Sequence, residues 1–364
     1  MWSRCSEKGE GKMKKLLSAL LSVLLLSSLT GCLSNNYENG ELYIYLPGEY
    51  LSDEVVEQFE YEYGVKVYVT TFDSNESMYT KLLGGTVYDL LIPSDYMIER
   101  LISEKMIQKL DKSKIPNMSA IDEAVLNMEF DPNNDYSVPY FWGNAGICYD
   151  TTQIDAEDVE SEGWEVMRNT KYRGMIYMYD SIRDAFMMAE KALGYSMNTD
   201  DPDEIEKSYE WLVQIAKTMD PAYVTDEIID GLSYGEKAMG FVYSGDASLI
   251  VAENEDMAFW APEEGTNYFV DAMVIHKDAK NVENAHKFIN YIIDYDAAFE
   301  NAVFVGYTSS NAEVVRDITM EGGDYEDNDA YIPREMNKND EVFHSNEEVL
   351  KVISELWVKV KNTK

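Results

Sequence analysis

The fold is decided by residues 41–92, ELYIYLPGEYLSDEVVEQFEYEYGVKVYVTTFDSNESMYTKLLGGTVYDLLI. Glu41 to Leu46 is apolar and rich in aromatics, as a largely buried strand requires. Ser52 to Tyr63 opens with an N-cap serine and acidic first-turn residues. Val55, Val56 and Phe59 form one apolar face, so this segment predicts a helix. Gly64 stops it, and Val65 to Thr71 reads as the next strand. A helix over Glu76 to Leu83 and a strand over Asp89 to Ile92 complete a β-α-β-α-β order. Such alternation implies a parallel sheet with helices on both faces.

The same pattern recurs more loosely further on. Strands are predicted over Gly174 to Met178, Ala238 to Tyr243, Met257 to Trp260 and Val270 to His276. Helices are predicted over Arg183 to Leu193, Ile205 to Thr218, Val282 to Ile293 and Glu347 to Lys359. A chain of 364 residues is too long for one ordinary core and suits two lobes. Open α/β sheets bind ligands beyond the carboxyl ends of their strands, which directs attention to the loops at Pro47, Pro93, Tyr179 and Ser244.

Ahead of the first strand lies an address. From Met13 the chain reads MKKLLSALLSVLLLSSLTGC: two lysines, an apolar run from Leu16 to Leu26, then Leu29-Thr30-Gly31-Cys32. The apolar run is short for a membrane span and fits a secretory signal. Leu-Thr-Gly-Cys resembles a bacterial lipobox, so Cys32 is the expected lipidation site and residues 1–31 the expected leader. The mature chain is then expected outside the cell membrane, anchored to its outer face by lipid alone.

Thirty basic against 68 acidic side chains give a net charge of −38. Such a surface repels phosphate backbones and excludes nucleic acid as a partner. Cys5, Cys32 and Cys148 offer no CxxC pair, and His276, His286 and His344 are scattered, so no metal site is expected. There is no GxxxxGK[ST], GxGxxG or HExxH run, and no cofactor is implied. Asp131-Pro-Asn133-Asn-Asp135 mimics the opening of an EF-hand loop. Tyr136 replaces its glycine and Trp142 its bidentate glutamate, so a structural turn is expected there.

What remains is a set of carboxylates, hydroxyls and rings near predicted strand ends: Tyr50, Ser94, Tyr96, Asp180, Asp184, Tyr243, Phe269, Asp271 and Tyr307. A polyamine, a chain of ammonium groups joined by methylenes, needs such a box. Each buried ammonium is costly unless paired with a carboxylate. Aromatic faces cover the methylenes and attract the cations. From composition alone, buried Tyr and surface Asp are commoner than ligand contacts, and ordinary packing remains the alternative for each.

Several segments in order resemble the spermidine/putrescine-binding proteins of bacterial ABC transporters. They are FDSNESMYTKL (72–82), YDLLIPSDY (88–96), MIQKLDKSKIPN (106–117), FDPNNDYSVPYFWG (130–143), IRDAF (182–186), LGYSMNTDDPDEIE (193–206), AHKFINYI (285–292) and VGYTSSN (305–311). The resemblance implies an α/β, two-lobed periplasmic-binding-protein fold of type II, with a mixed sheet in each lobe and the ligand between them. Lobe 1 would use residues 40–143 and 271–316, and lobe 2 residues 144–270 and 317–364. It further implies that Tyr50, Ser94 and Tyr96 are contacts from lobe 1. Asp184 and Asp271 would pair with ligand amines, and Tyr243, Phe269 and Tyr307 would be aromatic walls. Asp180 stands near the position of a second acid, which Ser181 does not supply. Pro47-Gly48 and Phe343 also depart from the pattern.

The function so implied is capture of spermidine or putrescine and delivery to permease subunits, as a monomer and without covalent chemistry. Two alternatives are a receptor of the same fold for another solute and a secreted hydrolase with Asp184 and Asp271 as acid and base.

Overall fold

The computed structural model describes residues 37–363. The leader, Cys5 and the lipidation site Cys32 lie outside the described residues.

The quoted stretch folds as read. Strand β1 (Glu41–Pro47) leads through helix α1 (Asp53–Tyr63) to β2 (Lys66–Phe72), then through α2 (Asn75–Leu83) to β3 (Leu90–Leu91). β1 pairs in parallel with both β2 and β3. Ser52 sits at the N-cap of α1 without a side-chain cap bond, while Gly64 takes the left-handed C-cap at φ 62° and returns its N–H to Glu60 O. Ser74 and Ser77 form a reciprocal capping box on α2. Helix α3 (Asp95–Ser103) follows β3 directly.

The sheet is not wholly parallel. The long strand β4 (Ser137–Asp150) is buried along its whole length and passes through two sheets. From Ser137 to Asn144 it lies antiparallel to β9 (Tyr268–Ile275), which itself runs antiparallel to β3. From Ala145 onward it pairs instead with β7 (Met239–Tyr243) and β8 (Met257–Trp260). The ladder is irregular between Pro139 and Phe141, where proline has no N–H to give.

Between those strands come α4 (Ala156–Glu162), β5 (Ile176–Tyr179), α5 (Ile182–Ala192), α6 (Pro202–Thr218), β6 (Ala222–Val224), α7 (Glu227–Ser233) and α8 (Ser244–Glu253). β5 is parallel to both β6 and β7. After β9 the chain adds α9 (Val282–Ile292), α10 (Tyr295–Val305), β10 (Thr308–Ser309) and α11 (Ala312–Thr319). The strand order is β2-β1-β3-β9-β4-β7-β5-β6, with β10 and β8 also paired to β4. α12 (Glu347–Lys361) ends the chain against α5 and α6.

Asp131 settles the EF-hand mimic. Its carboxylate accepts the N–H groups of Asp135, Tyr136 and Ser137 and the Ser137 hydroxyl, so it anchors a turn entering β4. Gly231-Leu-Ser233-Tyr-Gly235 has the GxSxG spacing of a nucleophile elbow. Ser233 is the last residue of helix α7, however, and not a strand-to-helix turn.

Candidate functional site

Loops beyond two pairs of parallel strands, one pair in each sheet, converge on one place. β1 leads to Tyr50, β3 to Ser94 and Tyr96, β5 to Asp184, and β7 ends on Tyr243 just before Asp246. Because β9 runs the other way, its beginning lies here too and supplies Phe269 and Asp271. Helices α3, α5 and α8 all start at this place, with Asp95, Asp184 and Asp246 in their first turns. Their amino ends favour negative charge, while burial opposes it.

Three tyrosine–aspartate pairs form the interior. The Tyr50 hydroxyl donates to Asp271 Oδ2 at 2.6 Å, that of Tyr243 to Asp184 Oδ2 at 2.6 Å, and that of Tyr307 to Asp246 Oδ1 at 2.9 Å. Their rings join into a wall: Tyr50 to Tyr307 at 5.3 Å, Tyr307 to Phe269 at 6.0 Å, Phe269 to Tyr243 at 5.4 Å, and Tyr243 to Tyr179 at 5.6 Å between centroids. Gly245 makes the wall possible, since a Cβ there would fall 1.9 Å from Tyr307 Cδ2.

Asp184 and Asp271 are buried, 4% and 7% exposed, and Asp246 is half-buried. Burial raises the pKa of Asp184 against the opposing hydrogen bonds of Ser181 and Tyr243. Burial likewise raises Asp271, opposed by Ser94 and Tyr50, and pushes Asp246 up to about 7, opposed first by the Tyr307 hydrogen bond. Asp184 Oδ1 is buried without a hydrogen-bond partner. Among the described residues, no Lys, Arg or His nitrogen makes an ion pair with Asp184, Asp246 or Asp271. The site is thus an enclosed set of acids in an aromatic sleeve, electrostatically incomplete without positive charge.

The Tyr96 side is different. Its hydroxyl donates to Glu76 Oε1 at 3.2 Å, and the Arg183 guanidinium lies 4.2 Å from the centre of its ring. Ser94 Oγ accepts from Asn75 Nδ2 at 3.0 Å, and Ser94 bridges to Asp271 through the backbone. Asp95 Oδ2 accepts the Val270 N–H at 3.0 Å and Oδ1 accepts the Tyr96 N–H at 2.6 Å, which ties these two walls together.

Of the nine residues expected, eight come together. Asp180 does not join them. Trp357 Nε1 donates to Asp180 Oδ1 at 2.9 Å, and Lys361 Nζ pairs with both its oxygens at 2.7 and 2.8 Å. That carboxylate anchors α12, and its charge is already matched. Sequence reasoning also missed Asp246, Tyr179, Glu76 and Asp95. At the departures from the expected pattern, Ser181 donates to Asp184, and Phe343 sets its edge against Tyr96 at 6.2 Å. Pro47 ends β1 opposite Phe72. Among the described residues no group of acids, histidines or cysteines is arranged to hold a metal ion, and Cys148 is a free, buried thiol.

Residues 54–330 match the model of the bacterial extracellular solute-binding proteins. The chain belongs to that family. It is 38% identical over 276 residues to the spermidine/putrescine-binding periplasmic protein of Salmonella typhimurium, covering 75% of this chain and 78% of the relative. The protein of that name from Escherichia coli K12 is 36% identical over the same shares. Its fold is that of the spermidine/putrescine ABC transporter substrate-binding protein PotD from Streptococcus pneumoniae, with a TM-score of 0.76, 35% identity, and 89% of this chain and 99% of the other covered. A Listeria monocytogenes structure assigned to a spermidine/putrescine ABC transporter superposes with a TM-score of 0.81 at 32% identity, over 89% of this chain and 99% of its own. The two-lobed periplasmic-binding-protein fold expected from the sequence is therefore that of this chain, and the first three of these relatives are named as binding proteins.

Proposed function

We propose that this chain captures a polyamine, spermidine or putrescine, outside the cytoplasm and delivers it to an ABC importer. The observation that carries the reading is the trio of carboxyls, two buried and one half-buried, that make no ion pair with a protein cation among the described residues, each held by a tyrosine and joined by one aromatic wall. A sugar or neutral amino acid leaves those charges unmatched. An anionic solute needs a free cation, and Arg183 is already engaged by Glu76. The names of the relatives point the same way.

In this reading Asp184, Asp246 and Asp271 each take an ammonium, and Phe269, Tyr243, Tyr307 and Tyr50 cover the methylenes between them. Lobe 1 comprises residues 40–143 and 271–316, and lobe 2 residues 144–270 and 317–364, with closure burying the amine. The partner switch of β4 at Asn144–Ala145 and the antiparallel return through β9 support those boundaries. α11 packs on α10 and β10, and α12 on α5 and α6, which supports assigning the two ends of the C-terminal part to different lobes. The protein acts by capture and release as a monomer, held to the outer face of the membrane by lipid on Cys32. No helix among the described residues is long and apolar enough to cross a membrane.

The test is titration calorimetry of residues 33–364 against spermidine, putrescine, amino acids and sugars. Binding of a polyamine near the micromolar scale, about −8 kcal/mol, with no heat from sugars, is the expected result. Tight binding of an anionic or neutral solute overturns it.

A further inference from the structure

Arg183 occupies a position that local physics disfavours. It stands at the second residue of α5, where a helix amino end repels positive charge, and directly before Asp184 in a site built for cations. Its side chain is nonetheless 12% exposed and ordered by three partners. Nε lies 3.3 Å from Glu76 Oε1, the guanidinium stacks 4.2 Å over the Tyr96 ring, and the Phe343 ring lies 6.0 Å away.

The partners belong to different parts of the molecule. Glu76 and Tyr96 are on α2 and α3, which follow β2 and β3 in the first sheet. Arg183 is on α5, which follows β5 in the second sheet. The ion pair therefore spans the gap over which the proposed ligand lies. The far side of α3 is gripped as well: Glu99 accepts the Ser345 N–H at 2.9 Å, and Arg100 pairs with Glu347 at the start of α12.

We infer that Arg183 is a positioning residue for amine capture, a clasp that forms with Glu76 and Tyr96 only when the two sheets close and that slows ligand escape. The inference rests on the polyamine reading above. A contact made only in the closed form favours that form and lowers the apparent dissociation constant without touching the ligand. Arginine suits the task because its plane stacks on a ring while its fork reaches a carboxylate, which lysine does not reproduce. The pairing also keeps the cation turned toward Glu76, leaving Asp184 Oδ1 for an ammonium.

Stopped-flow fluorescence with spermidine and putrescine on wild type, Arg183→Met, Arg183→Lys and Glu76→Gln separates the rates. The expected outcome is release about tenfold faster in Arg183→Met and Glu76→Gln with association within about threefold of wild type, the usual division for a closed-state contact. Arg183→Lys should restore part of the loss. The double variant should be no worse than either single variant for release. Thermal unfolding without amine should show additive effects, because open sheets hold the partners apart. Unchanged release in both single variants, or equal coupling with and without amine, overturns the clasp. Absence of amine binding by wild type instead overturns the functional reading beneath it.

Discussion

At the scale of the residue, the proposed site works through carboxyls whose pKa values burial raises, so that a bound cation favours their ionised form. Asp271→Asn and Asp184→Asn preserve shape but leave an ammonium without its counter-charge. Each should weaken polyamine binding by roughly 2–5 kcal/mol in calorimetry. Asp246 gives a pH signature. Its folded pKa, about 7, lies above its ordinary value of 3.8. The stability it contributes is therefore fully present below about pH 4 and lost as pH rises through about 7. Melts of Asp246→Asn against wild type without amine should show the variant gaining relative stability from pH 4 to pH 7, by roughly 2–4 kcal/mol, and levelling above. Amine binding draws on the ionised form, so wild-type affinity should fall as pH drops below 7, and less so in the variant. Gly245→Ala drives a methyl into the Tyr307 ring and should lower affinity at least as much as loss of that ring. Asp184 and Asp271 were expected from the resemblance, and each accepts a hydrogen bond from a tyrosine of the aromatic wall. Asp246 was not, although its signal was present: Tyr243-Ser-Gly-Asp246 follows a predicted strand just as Pro93-Ser-Asp-Tyr96 does.

Among the elements, the periodic helices and the short buried strands β7 and β9 were readable, and the long β4 was not. The amphipathic helices α1, α5, α6 and α9 carry apolar stripes with solvent on the other face, and their bounds differ from expectation by a few residues at most. β4 has no polar face at all, so alternation cannot reveal it, and its proline suggests a turn as readily as a strand. Its role is to carry the chain between sheets, which only the pairing partners disclose. The antiparallel insertion of β9 is similarly invisible, because β-α-β order argues for parallel neighbours alone. The C-terminal segment is tied to α5 by Lys191, whose Nζ donates to Asn339 O at 2.7 Å and pairs with Glu341. Glu341 also accepts from Ser196 and the Met197 N–H. Lys191→Met should strand that carboxylate and lower stability by roughly 3–5 kcal/mol in denaturant melts, loosening Phe343 and α12 with it.

For the molecule as a whole, two sheets joined through β4 and β9 place the strand ends of both at one site, so that in the proposed closure burying the ligand and desolvating the acids are one event. A surface with 38 more negative than positive charges draws cations toward it. In the proposed reading, selectivity comes from matching each acid of the site, since net charge alone does not distinguish among amines. A ligand held only by the closed form stabilises the fold by mass action, about 2.7 kcal/mol at a hundredfold excess over the dissociation constant. Melting curves should therefore shift upward with spermidine or putrescine and stay fixed with sugars. The most direct measurement is a crystal structure of the chain grown with spermidine. Every ligand nitrogen should lie about 3 Å from a carboxylate oxygen of Asp184, Asp246 or Asp271, with its methylenes against Phe269, Tyr243 and Tyr307. An amine lodged elsewhere, or nitrogens turned away from all three carboxylates, would contradict it.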